Sequence, residues 1–192
     1  MEDVSKEMDK AISKFKFNGY NPLYIWGGGH CLEGSLAYHD AVLELKTQLE
    51  NIKPNYIFLA SGTGATQAGL VSGSKLYFED CKVIGISISR DKKKGEIEVF
   101  NSVKELELHL GTDICEPKDV VFDDCYNGGG YNISFKGLDF LVKEMAKSGV
   151  ILDETYTAKA FYGMIDYVKK NKIKPNSNIV FWHTGGLLNF LS

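Results

Sequence analysis

Short apolar runs, most of them closed by a glycine-rich turn, alternate along this chain with amphipathic stretches. This pattern constrains the fold more than any other feature of the sequence. PLYIW (22–26) leads into GGGHCLEG, and NYIFLA, directly after Pro54, leads into SGTGATQAG. KVIGIS (82–87) is a third run, DVVF (119–122) leads into DDCYNGGGY, and NIVFW (178–182) ends in HTGG. Apolar runs of this length bounded by glycine read as buried strands. Between them lie helical patterns. Val4, Met8, Ile12 and Phe15 share one face of 3–17, which Gly19 ends, and Leu36, Ala37, Ala41, Val42, Leu45 and Leu49 line one side of 35–50. Further helices are expected after Gly69 and over 100–110, 135–147 and 157–170, with VILD (150–153) as a short buried segment. The alternation predicts one α/β domain over 1–192, built on an open, mainly parallel sheet flanked by helices.

Composition narrows the function. The 192 residues carry 22 basic and 25 acidic side chains, a formal charge of −3. No basic field exists to neutralise a nucleic-acid backbone, so nucleic acid is excluded as a dedicated partner. No apolar run reaches membrane-span length, and MEDVSKEMDKAISKFKF lacks the apolar core of a signal peptide. Cys31, Cys81, Cys115 and Cys125 are scattered without a CxxC pair, which argues against zinc and against a disulfide scaffold and points to reduced thiols in the cytoplasm. The run Lys92–Lys94 reads as a solvated loop or helix start.

In an open α/β sheet the strand C-termini share one edge, where ligands bind. Glycine clusters at several such ends imply one site assembled from distant loops. Ser61-Gly62-Thr63-Gly64-Ala65-Thr66 is the most informative. Glycine lets successive backbone N–H groups converge as an anion nest, the following helix adds its positive end, and Ser61, Thr63 and Thr66 add hydroxyls. A phosphate monoester suits such a site, although a tight strand-to-helix turn with capping hydroxyls reads the same way. A dinucleotide fingerprint fails because Gln67 stands where its third glycine belongs, and a Walker A loop fails because Ser35 stands where its lysine belongs.

Tyr131 follows three glycines and either projects into a cleft or plugs its own loop. Thr157 is a natural helix N-cap, Lys159 near the start of the same helix reads as exposed, and His183 reads as a turn histidine ahead of a catalyst.

Taken in order, GGGHCLEGSLAY, ASGTGATQAGLVSG, DDCYNGGGY, GVILDETYTAKAFYGMIDYV and IVFWHTGG resemble the pyridoxal-phosphate enzymes of fold type II, the tryptophan-synthase-β-like class. Within that class the resemblance is to the D-cysteine desulfhydrase and 1-aminocyclopropane-1-carboxylate deaminase group. It spans Tyr24 to about Leu187 and matches only the C-terminal portion of such enzymes. The resemblance implies pyridoxal 5'-phosphate as cofactor, with Ser61, Gly62, Thr63, Gly64, Ala65 and Thr66 around its phosphate. It implies Thr157 at the pyridine nitrogen, Thr184 behind the ring, and Tyr131 and Tyr156 as catalytic tyrosines acting on a small amino-acid substrate. A threonine at 157, where a carboxylate would keep the ring nitrogen protonated, makes a weaker electron sink and tilts the expectation toward loss of a β leaving group. His30-Cys31 stands where relatives usually carry small polar residues.

The resemblance also implies that the Schiff-base lysine and most of the small domain lie outside the matching region. Three outcomes are open: half of a split enzyme completed by a complementary N-terminal chain, a portion of a longer enzyme, or a non-catalytic module that binds pyridoxal phosphate or another phosphate ligand. A sheet without its N-terminal strands is expected to expose apolar surface and to associate, with another chain or with itself.

Overall fold

The computed structural model describes residues 2–186. Among these residues six α-helices, α1 (Glu2–Phe17), α2 (Leu32–Leu49), α3 (Ala65–Tyr77), α4 (Lys92–Leu110), α5 (Leu138–Lys147) and α6 (Thr157–Lys169), accompany four strands, β1 (Tyr56–Ser61), β2 (Lys82–Ser87), β3 (Val121–Asp123) and β4 (Ile179–Trp182). The sheet runs β3-β2-β1-β4 with every pairing parallel. The α/β architecture expected from the sequence is therefore present.

Alternation along the two central strands sorts the core into layers. Ile57, Leu59 and Val83 pack with Val42, Ala68, Leu70, Val99 and Val103 from α2, α3 and α4. Tyr56, Phe58, Ile84 and Ile86 pack on the other face with Ala160 of α6. Strands buried on both faces explain why these segments read as continuous apolar runs. The two helices α2 and α3 approach so closely that a Cβ on Gly69 would collide with the Ser35 carbonyl.

Several expectations need correction. PLYIW forms no strand. Leu23 and Ile25 are 85% and 70% exposed, and the glycines behind them form a short 3-10 turn instead of closing a strand. VILD, expected as a short buried segment, buries Leu152 and Asp153 and is not part of a strand. Lys92–Lys94 open α4, which begins well before the expected Phe100 because Asp91 caps it, its carboxylate accepting from the Lys94 N–H at 3.0 Å. Asp119 closes a 3-10 turn, and β3 starts two residues later than its apolar run suggests.

Candidate active site

The order β3-β2-β1-β4 places a reversal of winding between β1 and β4. In open α/β sheets that is where the loops part and leave a crevice beyond the strand C-termini. A cleft of about 350 Å³ lies there, walled by Gly28, Ala60, Gly62, Thr63, Thr66, Ile88, Ser89, Arg90, Tyr131, Tyr156 and Thr184.

The Ser61–Thr66 segment forms its floor. Gly64 holds φ at 111°, a backbone state that strains any residue with a Cβ, and acts as the N-cap of α3 without a side-chain cap bond. The first turn of α3 has no acidic residue, so its positive end is not neutralised. Gly62, Thr63 and Thr66 line the cleft, while Ala65 is buried as the first residue of α3. Ser61 is 3% exposed and its hydroxyl has no hydrogen-bond partner. An unpaired buried hydroxyl costs free energy unless a ligand satisfies it.

Two contributions escaped the sequence reading. Arg90 is the only arginine in the chain, against 21 lysines among the 22 basic residues. Its guanidinium donates to the Thr63 carbonyl at 2.9 Å, holding the floor loop and leaving other donors free beside the cleft. The turn that carries it is fixed by Ser87, whose hydroxyl donates to the Arg90 carbonyl at 2.7 Å and accepts from the Ser89 N–H at 3.1 Å. The choice of arginine in a lysine-rich chain was the signal available beforehand.

Asp153 is the second. Its carboxylate accepts from the Thr155, Tyr156 and Thr157 N–H groups at 3.1, 3.0 and 2.9 Å, and so caps α6. The Thr157 hydroxyl donates to the same carboxylate at 2.8 Å and accepts from the Asp153 N–H at 2.8 Å. Thr157 is 1% exposed and is not among the residues lining the cleft. The capping expected of Thr157 is thus performed by Asp153, four residues earlier, and Tyr156 is the N-cap position.

Tyr131 and Tyr156 face each other across the cleft with their hydroxyls 2.6 Å apart. Burial, reinforced by the Tyr131 hydroxyl, pushes the Tyr156 phenol up to about 12. Thr184 reaches the cleft from the end of β4. His183 turns away: one ring nitrogen contacts the Ile151 carbonyl at 2.7 Å and the other accepts from the Gly185 N–H at 3.2 Å. That pairing puts the proton on Nε2 and leaves a satisfied turn histidine. His30 contacts Ser102 of α4 at 3.2 Å, and Cys31 precedes α2 with its thiol toward the Gly29 carbonyl. Gly28 of that same turn rests against Thr63, where a Cβ would lie 3.0 Å from the threonine methyl.

Lys159 departs from its expected exposure. It is 0% exposed, and its ammonium donates to the carbonyls of Ile88 at 3.2 Å, Asn127 at 2.7 Å and Gly130 at 2.9 Å. Burial lowers its pKa, partly offset by Asp153. Among the described residues lining the cleft there is no lysine.

With this geometry in view, the comparisons with known proteins identify the class. Residues 2–185 match the pyridoxal-phosphate dependent enzyme family, and the chain belongs to it. More particularly, it is 32% identical over 188 residues to a Pyrococcus abyssi protein named "Putative 1-aminocyclopropane-1-carboxylate deaminase", covering 96% of this chain and 56% of the relative. A Pyrococcus horikoshii protein of the same name is 33% identical over 186 residues, covering 96% and 55%. The crystal structure of an ACC deaminase homologue superposes with a TM-score of 0.87 at 32% identity, over 96% of this chain and 55% of that one. The chain thus spans about half the length of these relatives.

The residues present fit the family's cofactor. An uncapped helix N-terminus entered through a positive-φ glycine, the Thr63 and Thr66 side chains and the Arg90 guanidinium stand beside one cleft, and the unpaired Ser61 hydroxyl is buried one residue before the lining Gly62. That donor set suits a phosphate monoester.

Proposed function

We propose that this chain is the cofactor-holding portion of a pyridoxal-phosphate lyase or deaminase acting on a small amino acid, of the D-cysteine desulfhydrase type. The observation that carries the proposal is the assembly of one cleft from the floor loop, Arg90, the tyrosine pair and Thr184 at the reversal between β1 and β4. Backbone amides at 62–66 with the Ser61, Thr63 and Thr66 hydroxyls would hold the phosphate. Thr184 would stand against the ring. Bound pyridoxal phosphate supplies the electron-withdrawing ring that makes the α-proton of an amino acid removable.

The chain's own groups set the proton chemistry. Tyr131 and Tyr156 share one hydrogen bond, so one phenol can hand a proton onward while the other keeps its partner. Burial and the bond to Tyr131 raise the Tyr156 pKa, so that phenol stays protonated at neutral pH and acts there as a hydrogen-bond donor. The Thr157 proton is committed to Asp153, so Thr157 must release that carboxylate before it can donate to a ring nitrogen. A neutral residue there still favours loss of a β leaving group over ring opening. Thr157→Glu tests this point: an unchanged preference between D-cysteine and 1-aminocyclopropane-1-carboxylate in the assembled enzyme counts against it.

A cleft without a lysine among its described lining residues favours completion by another segment. We place the anchoring lysine in an N-terminal segment, of the same polypeptide or of a complementary chain, and take the exposed Phe17, Tyr20, Leu23, Ile25 and Trp26 as support for association with that segment or with a second copy. The four unpaired thiols support the cytoplasm as location. The same absence of a lining lysine favours a second reading, a module that holds pyridoxal phosphate without turnover.

One experiment separates them. Pyridoxal phosphate is added, followed by borohydride and peptide mapping. Saturable binding without a reduced adduct, converted to an adduct and turnover when the N-terminal segment is supplied, supports the first reading. Saturable binding alone supports the second, and no binding overturns both.

A further inference from the structure

We propose that Lys159 is a positioning residue of the cleft: through the Asn127–Gly130 turn it sets where Tyr131 places its phenol. A buried ammonium is costly unless each of its hydrogens finds an acceptor. Here three carbonyls from two separate segments converge on it, those of Ile88 beyond β2 and of Asn127 and Gly130 in the glycine turn. Both segments border the cleft: Ile88 lines it, and Gly130 is joined by its peptide bond to Tyr131. The third element is α6 itself, which starts beside Tyr156.

One stretch of chain thereby controls both phenols. Tyr156 is held by its own N–H on Asp153 at 3.0 Å. Tyr131 is held at a distance, by Lys159 on the turn before it and by the Thr155 hydroxyl donating to Asn132 at 2.7 Å on the residue after it. The glycines of that turn supply no side-chain packing of their own, and Gly128 and Gly129 hold φ at 71° and 95°. Inside the turn the Gly129 N–H donates to the Asn127 side chain at 2.8 Å, and the lysine is the tie that anchors the turn to α6 and to the end of β2. The same geometry removes Lys159 as a nucleophile: its hydrogens face three carbonyls, which is how an ammonium is held, and a reacting amine needs a free lone pair.

The inference rests on the proposed function only for its ligand, so the test reads the turn and the ligand separately. In Lys159→Ala, amide exchange of the 127–131 segment should rise at least about tenfold while β1 and β2 stay protected. Pyridoxal phosphate affinity should fall about tenfold. Propylammonium, which carries the atoms the substitution removes, should restore both, and sodium chloride at equal ionic strength should not. In a Tyr131→Phe background the loss of affinity on Lys159→Ala should shrink, because the two changes act through one contact.

Unchanged exchange at 127–131 overturns the proposal, as does loosening spread evenly over the sheet, or full additivity with Tyr131→Phe. If Lys159→Ala does not fold, Lys159→Met, which keeps the buried stem, gives the same exchange readout. If the wild-type chain binds no pyridoxal phosphate, the proposed function fails while the exchange and rescue arms still decide the role of Lys159.

Discussion

The Tyr131 and Tyr156 hydroxyls lie 2.6 Å apart, with the rings crossed edge to face at a centroid separation of 5.9 Å. One phenol comes from a glycine turn and the other from the residue before α6. Burial first, and then the hydrogen bond to the Tyr131 hydroxyl, raises the Tyr156 phenol to about 12. Tyr131→Phe should lower that pKa toward the ordinary tyrosine value of about 10 without reaching it, because burial remains. Tyrosinate absorbance during an alkaline titration, read as the difference from Tyr156→Phe, measures the shift. The sign for stability follows. The folded state holds this proton more tightly than the unfolded state. The contribution is complete below a pH of about 10, and it is lost as pH rises through about 12. An alkaline denaturation profile unchanged in Tyr156→Phe would contradict it.

Gly64 turns the chain from β1 into α3 at φ 111°, and a Cβ there would lie 3.2 Å from the Val99 methyl. Gly64→Ala should destabilise the fold by about 2 kcal/mol, from backbone strain at a position closed to L side chains. Chemical denaturation measures the loss. Phosphate-ligand affinity should fall further than stability alone accounts for, since the helix entry that presents the amides moves.

Arg90 donates to the Thr63 carbonyl from a site that borders the cleft. Arg90→Gln should weaken pyridoxal phosphate binding about tenfold, some 1.4 kcal/mol, and flatten its salt dependence. Arg90→Lys should recover only part, because an ammonium lacks the planar fork. Calorimetric titration at two ionic strengths is the measurement. Equal affinity of Arg90→Gln and wild type would remove Arg90 from the site.

Thr157→Val keeps the shape of the side chain and deletes its hydroxyl. Asp153 then loses a donor to its carboxylate and an acceptor for its own N–H, both in a buried setting. A loss of about 1–3 kcal/mol is expected. Thr157→Ser should restore most of it. Thermal melting of the pair of variants decides, and a stable valine variant would show that the hydroxyl is not structural.

Most of the sheet was legible because parallel strands buried on both faces leave a run of apolar residues, and β1, β2 and β4 fall where those runs stand. PLYIW misled because the same composition describes an exposed apolar segment that has nothing to pack against in this chain. Periodicity reports residue type, and the presence of a neighbour is a tertiary fact. The floor loop was legible from its glycines and hydroxyls. Asp153 and Lys159 were not, since a carboxylate in VILD and a lysine in YTAKA acquire their roles only when α6 folds back on the glycine turn. Local sequence gives an isolated lysine the solvent by default, and three carbonyls brought from elsewhere reverse that.

The reversal between β1 and β4 has a consequence for how the molecule comes into being. Among the described residues β4 pairs with β1 alone, and it is only after β4 docks that Thr184 stands opposite the floor loop. The binding crevice therefore closes only once a strand that follows the other three in the chain has docked. A ligand that bridges both walls would act as a clasp on β4, and occupancy would raise the resistance of that edge of the sheet to proteolysis.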